Sequence, residues 1–366
     1  MHIIRKVLFR KGHLLLLLVV ALVAVACGPS GTPAAPGAIR PATSGSVSLN
    51  GAGATFPFPL YSKWFDEYAK LTGTRINYQS IGSGGGIQQV TQRTVDFGAS
   101  DAPMTDEQLA AVKGGMLHIP TVLGAVVVVY NLPNVPSGLK LAPGTVSGIF
   151  LGEITKWSDQ RIVSDNPDLK LPDQAIAVVH RSDGSGTTNI FTDYLSTVSA
   201  AWKSKVGKST SVNWPVGIGG KGNEGVAGQV KQTPGSIGYV ELAYATQNKL
   251  PYAFIKNKAG KFVEPTLEAT SAAASAVQIP DDLRFSMVDP AGEGSYPIAG
   301  ATWILVYQEQ TDQAKGKALA DFLTWALTSG EGMAKDLQYA PLPQTLLSRA
   351  QGKVKSITYQ GQPLAP

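Results

Sequence analysis

Two stretches of the chain, Ser80-Ile81-Gly82-Ser83-Gly84 and Ser182-Asp183-Gly184-Ser185-Gly186, share the pattern S-x-G-S-G. Each stands between a strand pattern and a helix pattern. The first follows the alternation of Arg75 to Gln79 and precedes a short helix expected from Ile87. The second follows an apolar run, Ala175 to Val179, with Arg181 to Thr187 as loop; beyond it Phe191, Tyr194, Leu195, Val198 and Trp202 mark one helix face. Strand, glycine loop and helix in that order, twice over, predict α/β lobes on largely parallel sheets. The flanking patterns agree. Leu60, Trp64, Phe65, Tyr68 and Leu71 recur at helical spacing, with Thr55 upstream as a candidate cap and Gly73 as a stop. A strand near Val95 to Ala99 runs into Asp101-Ala102-Pro103, and Thr105, Asp106 and Glu107 begin another helix.

The chemistry of the two loops points to an anion. Serine supplies a hydroxyl, and glycine lets the backbone turn its N–H groups inward with no side chain in the way. A helix amino terminus adds unpaired N–H donors and the positive end of a dipole. Two such cradles suggest a clamp with one jaw per lobe. Four matched positions out of five also arise by chance, because Ser and Gly are common in such turns.

Enzymes that handle phosphate or esters fit poorly. Gly207-Lys208-Ser209 ends like a P-loop, but Trp202 stands where the first glycine is required, and Gly219-Gly220-Lys221-Gly222 lacks the hydroxyl after lysine. Neither serine loop has the G-x-S-x-G elbow. Past the amino-terminal segment the histidines are His118 and His180; His180 lies beside the second loop and reads as a strand-end residue rather than a base. With so few histidines and a single cysteine, no transition-metal site and no cofactor are expected.

The amino terminus reads as an export signal. Arg5, Lys6, Arg10 and Lys11 precede an apolar run from Leu14 to Ala26, whose 13 residues fall short of a bilayer span of roughly 20. The run ends Ala24-Val25-Ala26-Cys27-Gly28, where small residues precede the only cysteine of the chain. This resembles a bacterial lipobox, with Ala24 where leucine is usual, and implies lipidation of Cys27 after removal of residues 1–26. Ordinary cleavage, or an uncleaved anchor with a buried thiol, are the alternatives. Residues 27–45 hold four prolines and almost no bulky apolar side chain, the composition of an extended tether. A sole cysteine excludes an internal disulfide, so the core must supply stability; 43% apolar residues over 366 suffice for two domains. The formal charge of +5 rests on the leader: without its four cations, 27 basic residues stand against 26 acidic ones. That balance argues against nucleic acid as a partner.

From about Val47 onward, longer motifs accumulate: NGAGATFPFPLYSKWFDEY, NYQSIGSGGG, VDFGASDAPMTDEQL, LGEITKWSD, VVHRSDGSGTTNIFTDYL, NWPVGIGGKGNEGV and PGSIGYVE. In this order they closely resemble the substrate-binding subunit of bacterial high-affinity phosphate ABC transporters. The resemblance weakens between about Asn248 and Ser295 and over the last 20 residues. It implies a type II periplasmic-binding-protein fold, two α/β lobes joined by two crossing strands around a ligand cleft. Candidate crossings are Thr121 to Asn131 and Ala301 to Tyr307. Lobe I would then comprise residues 46–125 with 301–366, and lobe II residues 126–300.

The resemblance also implies a ligand set. It assigns phosphate contacts to Thr55 (hydroxyl), Phe56 (backbone N–H), Ser83, Asp101, Arg181, Ser185, Gly186 and Thr187, with Asp183 holding the guanidinium of Arg181 and not touching the ligand. A buried dianion is tolerable only when donors saturate its oxygens, and this set is rich in them. Asp101 makes sense once the remaining P–OH of phosphate is counted, for which a carboxylate is the acceptor. Sulfate lacks that proton, whereas arsenate keeps it and is not separated from phosphate. The implied role is import: a monomer outside the membrane, lipid-anchored, delivering phosphate to two permease subunits and their ATPase. A scavenger, adhesin, sensor or phosphatase-like protein of related sequence is the alternative.

Overall fold

The computed structural model describes residues 47–365; the signal segment, Cys27 and the tether lie outside the described residues. Two runs of the chain repeat one design. In the first, the strands Ser48–Gly53, Arg75–Ser80 and Phe97–Ser100 are separated by the helices Phe58–Thr72 and Ser83–Thr91. They pair in parallel with the first strand in the middle. In the second, the strands Ala177–Arg181, Ile218–Gly220 and Ser236–Glu241 do the same, again with the first in the middle. The helix Gly222–Gln232 links the last two.

The long strand Met116–Tyr130 joins the repeats. At about 3.3 Å per residue its 15 residues reach roughly 50 Å, enough to serve both. From Met116 to Ala125 it pairs antiparallel with Ile298–Tyr307, and from Val126 to Tyr130 antiparallel with Ser236–Glu241. The result is one curled nine-stranded sheet, parallel towards its two ends and antiparallel in the centre. Both crossings start earlier than the sequence suggested. His118 disguises the earlier start of the first one, because it is a polar residue satisfied in the core, Nε2 accepting the Met104 N–H at 3.0 Å; Thr121, where the expected crossing began, shares a 2.7 Å hydrogen bond with the Tyr61 hydroxyl. Burial correspondingly lowers the His118 pKa to about 4.

Other boundaries differ for local reasons. The helix expected from Ile87 begins at Ser83, since three consecutive glycines argue for loop in isolation. Packing demands them: a Cβ at Gly86 would lie 2.5 Å from the Gly53 Cα. The face running to Trp202 belongs to two helices, Gly186–Val198 and Ala200–Lys205, divided at Ser199, whose hydroxyl accepts the Trp202 N–H. Thr55 caps nothing; the helix Phe58–Thr72 starts behind Pro57, and Gly73, at φ 79°, ends it as expected. Its buried aromatic face is what draws the carboxyl-terminal helix Gln313–Ala326 onto the amino-terminal repeat. Phe65 meets Phe322 at 5.4 Å between centroids, Tyr68 meets Trp325 at 5.3 Å, and Trp64 donates to the Gly330 carbonyl at 2.7 Å. Each such side chain contributes on the order of 1.5–3 kcal/mol by burial.

Candidate functional site

In open parallel sheets the carboxyl ends of the strands, where strand order reverses, are where ligands bind. Both repeats aim those ends at one point. Thr55 and Phe56 follow the strand Ser48–Gly53, Ser83 follows Arg75–Ser80, and Asp101 follows Phe97–Ser100. From the other repeat, Arg181 ends its strand, Ser185 and Gly186 open the next helix, and Asn223 lies in the first turn of Gly222–Gln232. All these side chains are buried.

The two S-x-G-S-G loops touch. The Gly84 N–H donates to the Gly184 carbonyl at 2.9 Å, and a Cβ on Gly186 would fall 2.4 Å from Ser83 Oγ and 2.5 Å from Asp101 Oδ2. Only glycine allows that approach. Ser185 caps its helix by accepting the Thr188 N–H at 3.0 Å, which leaves its proton to donate and leaves the Gly186 and Thr187 N–H groups without intrahelical partners.

Arg181 is the one cation at the centre, and its geometry is set by Asp183. Nε donates to Asp183 Oδ1 at 2.8 Å and Nη2 to Oδ2 at 2.5 Å, while Nη1 reaches Thr187 Oγ1 at 3.3 Å. Asp183 also takes the Gly222 N–H at 3.0 Å, and the Arg181 charge and this bond counter burial to hold its carboxyl below the usual range. Of the five guanidinium N–H groups, one on each terminal nitrogen is left for a ligand, the forked pair suited to an oxyanion.

Asp101 lies near enough for the Arg181 charge to act on its carboxylate. Its backbone N–H donates to Ser83 Oγ at 3.1 Å, and Oδ1 accepts the Thr302 hydroxyl at 2.9 Å. Burial raises its pKa to about 7, opposed by the Thr302 bond and by the Arg181 charge. Hydrogen bonds and close approaches thus link Ser83, Asp101 and Gly186 on one side, and Thr55, Thr187 and Arg181 on the other, all of them buried. Phe56 is held by its backbone: its carbonyl accepts the Tyr339 hydroxyl at 2.6 Å, and its ring fills the space that a Cβ on Gly124 would need. Its neighbour Thr55 is held likewise, its carbonyl accepting the Tyr244 hydroxyl at 2.6 Å. His180 takes no part; its ring stacks on Trp214, and Nδ1 is 3.0 Å from the Arg181 carbonyl.

Sequence reasoning missed Asn223. Its Nδ2 bridges Thr55 Oγ1, at 2.7 Å, and Thr187 Oγ1, at 3.1 Å. The signal was there in Gly219-Gly220-Lys221-Gly222, a third glycine turn between strand and helix, set aside because it fails as a P-loop. Its strand has three residues, two of them glycine, so no alternation announces it.

A curled α/β sheet with a donor-lined site at the carboxyl ends of two strand sets defines a substrate-binding protein, and the family model of the PBP superfamily domain matches residues 40–330. The chain is 47% identical over 350 residues to "Phosphate-binding protein PstS" of Xylella fastidiosa (strain Temecula1), covering 92% of this chain and 96% of that one. It is 47% identical over 317 residues to the protein of the same name from Pasteurella multocida (strain Pm70), covering 86% and 92%. The chain belongs to the PstS family of phosphate-binding proteins. The crystal structure of the ancestral soluble variant of the human phosphate-binding protein shares the fold, with a TM-score of 0.69 at 22% identity over 87% of this chain and 96% of that one.

Proposed function

We propose that this protein binds inorganic phosphate between two lobes and delivers it to an ABC importer. The observation that carries the reading is the pairing of one guanidinium fork with one carboxylate inside a ring of hydroxyl and backbone donors, which matches a tetrahedral anion that keeps a single proton. Thr55, Phe56, Ser83, Arg181, Ser185, Gly186 and Thr187 donate to phosphate oxygens, and Asp101 accepts the P–OH. Asp183 aligns Arg181. Residues 46–125 with 301–366 form one lobe and 126–300 the other, in keeping with the change of partner along Met116–Tyr130 between Ala125 and Val126. The protein works as a monomer outside the membrane, held by a lipid on Cys27; among the described residues no helix is long and apolar enough to cross a membrane. It carries out no catalysis, and its partners are the permease subunits with their ATPase.

Isothermal titration calorimetry of the chain after Cys27, stripped of bound anion, tests this. Tight one-to-one phosphate binding with no sulfate response is expected at alkaline pH, where Asp101 is ionised; equal binding of both anions there would overturn it. Delivery is tested by phosphate uptake in cells lacking this protein and in cells supplied with it again.

Closure has its own test. Alanine at Gly186 puts a methyl group into Ser83 and Asp101, so the lobes should be held apart. A loss of affinity of at least about tenfold is expected, the cost of a contact worth ~1.4 kcal/mol or more. The melting temperature without phosphate should stay near that of the parent. Parent-like affinity in Gly186→Ala would show that the loops need not meet.

A further inference from the structure

We infer that residues 279–286 form a strap between the lobes, latched by a hydrogen bond from Ser286 to Asp193, and that this latch sets how slowly the closed protein releases its anion; this rests on the phosphate reading above. The strap is numbered within the second lobe yet fastened to the first. Arg349 donates to the Ile279 carbonyl at 2.7 Å and to the Pro280 carbonyl at 2.6 Å, and Trp303 Nε1 donates to the Leu283 carbonyl at 2.8 Å. Arg284 Nη1 donates to the Met104 carbonyl at 2.9 Å, and its Nη2 pairs with Asp106 at 2.8 Å. Leu283 and Phe285 are buried, the latter against Trp303 at 5.5 Å between centroids. Past Ser286 the chain enters the hinge: Met287 pairs with Ala299, and Ala299 pairs with Ala125, the last residue of the long strand before it changes partner.

What the strap offers the second lobe is Ser286, an exposed residue whose Oγ donates to Asp193 Oδ2 at 2.8 Å. Lys208 Nζ holds the other carboxylate oxygen, Oδ1, at 2.9 Å, which fixes the acceptor in place.

Asp193 belongs to the helix Gly186–Val198, and that helix is the element that closes. Gly186, Ile190 and Asp193 are spaced four and three apart, so they share one face over about 10 Å of helix. Gly186 meets Ser83 and Asp101; Ile190 covers Gly300, where a Cβ would fall 2.3 Å from its Cδ1; Asp193 meets the strap. A movement that draws Gly186 off Ser83 therefore carries Asp193 off Ser286. The strap parts there and not from the first lobe, because one exposed hydroxyl bond is weaker than several bonds backed by buried apolar side chains. A cavity of about 240 Å³ between helix and strap is lined by Asn189, Asp193 and Ser286 and extends to Asp101, so separation at the latch widens the space that borders the acceptor of the site.

Release is read directly by loading the protein with radiolabelled phosphate and chasing with an excess of unlabelled phosphate. In Ser286→Ala release should be about three- to tenfold faster, the loss of one hydrogen bond, with association within about twofold of the parent because the latch forms after the anion has entered. Ser286→Asp sets carboxylate against carboxylate; release should be faster still, and the excess should shrink when salt is raised from about 0.05 M to about 0.5 M. In an Asp193→Ala background the alanine at position 286 should add nothing, a non-additivity that a general loosening of the fold would not produce. Parent-like release in Ser286→Ala, equal increments in both backgrounds, or a change confined to association would overturn the latch and leave phosphate binding intact. No phosphate binding by the parent would instead sink the reading on which it rests.

Discussion

Replacing Arg181 by alanine is expected to weaken phosphate binding by about 2–5 kcal/mol, some thirtyfold to several thousandfold. The magnitude follows from position. Arg181 is buried, and the carboxylate beside it, Asp183, is already committed to Nε and Nη2. Removing the guanidinium deletes two charge-assisted bonds to the anion and strands Asp183 as a negative charge next to it. Asp183→Asn should recover part of the loss in the double variant, because the stranded charge disappears with it. Titration calorimetry of both variants decides the matter; a change of less than tenfold in Arg181→Ala would place the residue outside the ligand site.

Loss of discrimination is the expected result for Asp101→Ala: phosphate and sulfate should bind within about tenfold of each other, against a large preference for phosphate in the parent. A carboxylate facing a fully deprotonated oxygen sets lone pair against lone pair, while phosphate answers it with a proton. The preference should depend on pH with a definite sign. Burial raises the Asp101 pKa to about 7, so the protonated form persists in the site well above the ordinary carboxylate range. Below about 7 that proton can be donated to sulfate, and sulfate affinity should climb as pH falls. By the same linkage, Asp101 favours the buried arrangement at acidic pH and withdraws that support as pH rises from the ordinary carboxylate range through about 7. Competition titrations at a series of pH values check it; a pH-independent sulfate response in the parent would contradict the assignment of the acceptor to Asp101.

Residues close together along the chain were the readable part of the site. Ser182 to Gly186 announces a turn, a cap and a dipole within five positions, and the ion pair of Arg181 with Asp183 spans only two. Asn223 was not readable, because its meaning lies in Thr55, 168 positions away, and in Thr187, 36 away. Thr302, the donor to Asp101 across 201 positions, hid in an apolar strand for the same reason. Tyr244 and Tyr339, which hold the backbone of Thr55 and Phe56, read as ordinary core aromatics.

Periodicity and glycine placement in the sequence determined the alternation of strands and helices, the two glycine loops between them and the α/β class, since these depend on contacts within a turn or two of chain. The tertiary structure decided how far the crossing strands extend, which strand ends converge, and which way each buried hydroxyl points. Those outcomes depend on long-range pairing: Met116–Tyr130 takes one partner up to Ala125 and another after it, and a hydroxyl takes its direction only from neighbours that the finished fold brings to it.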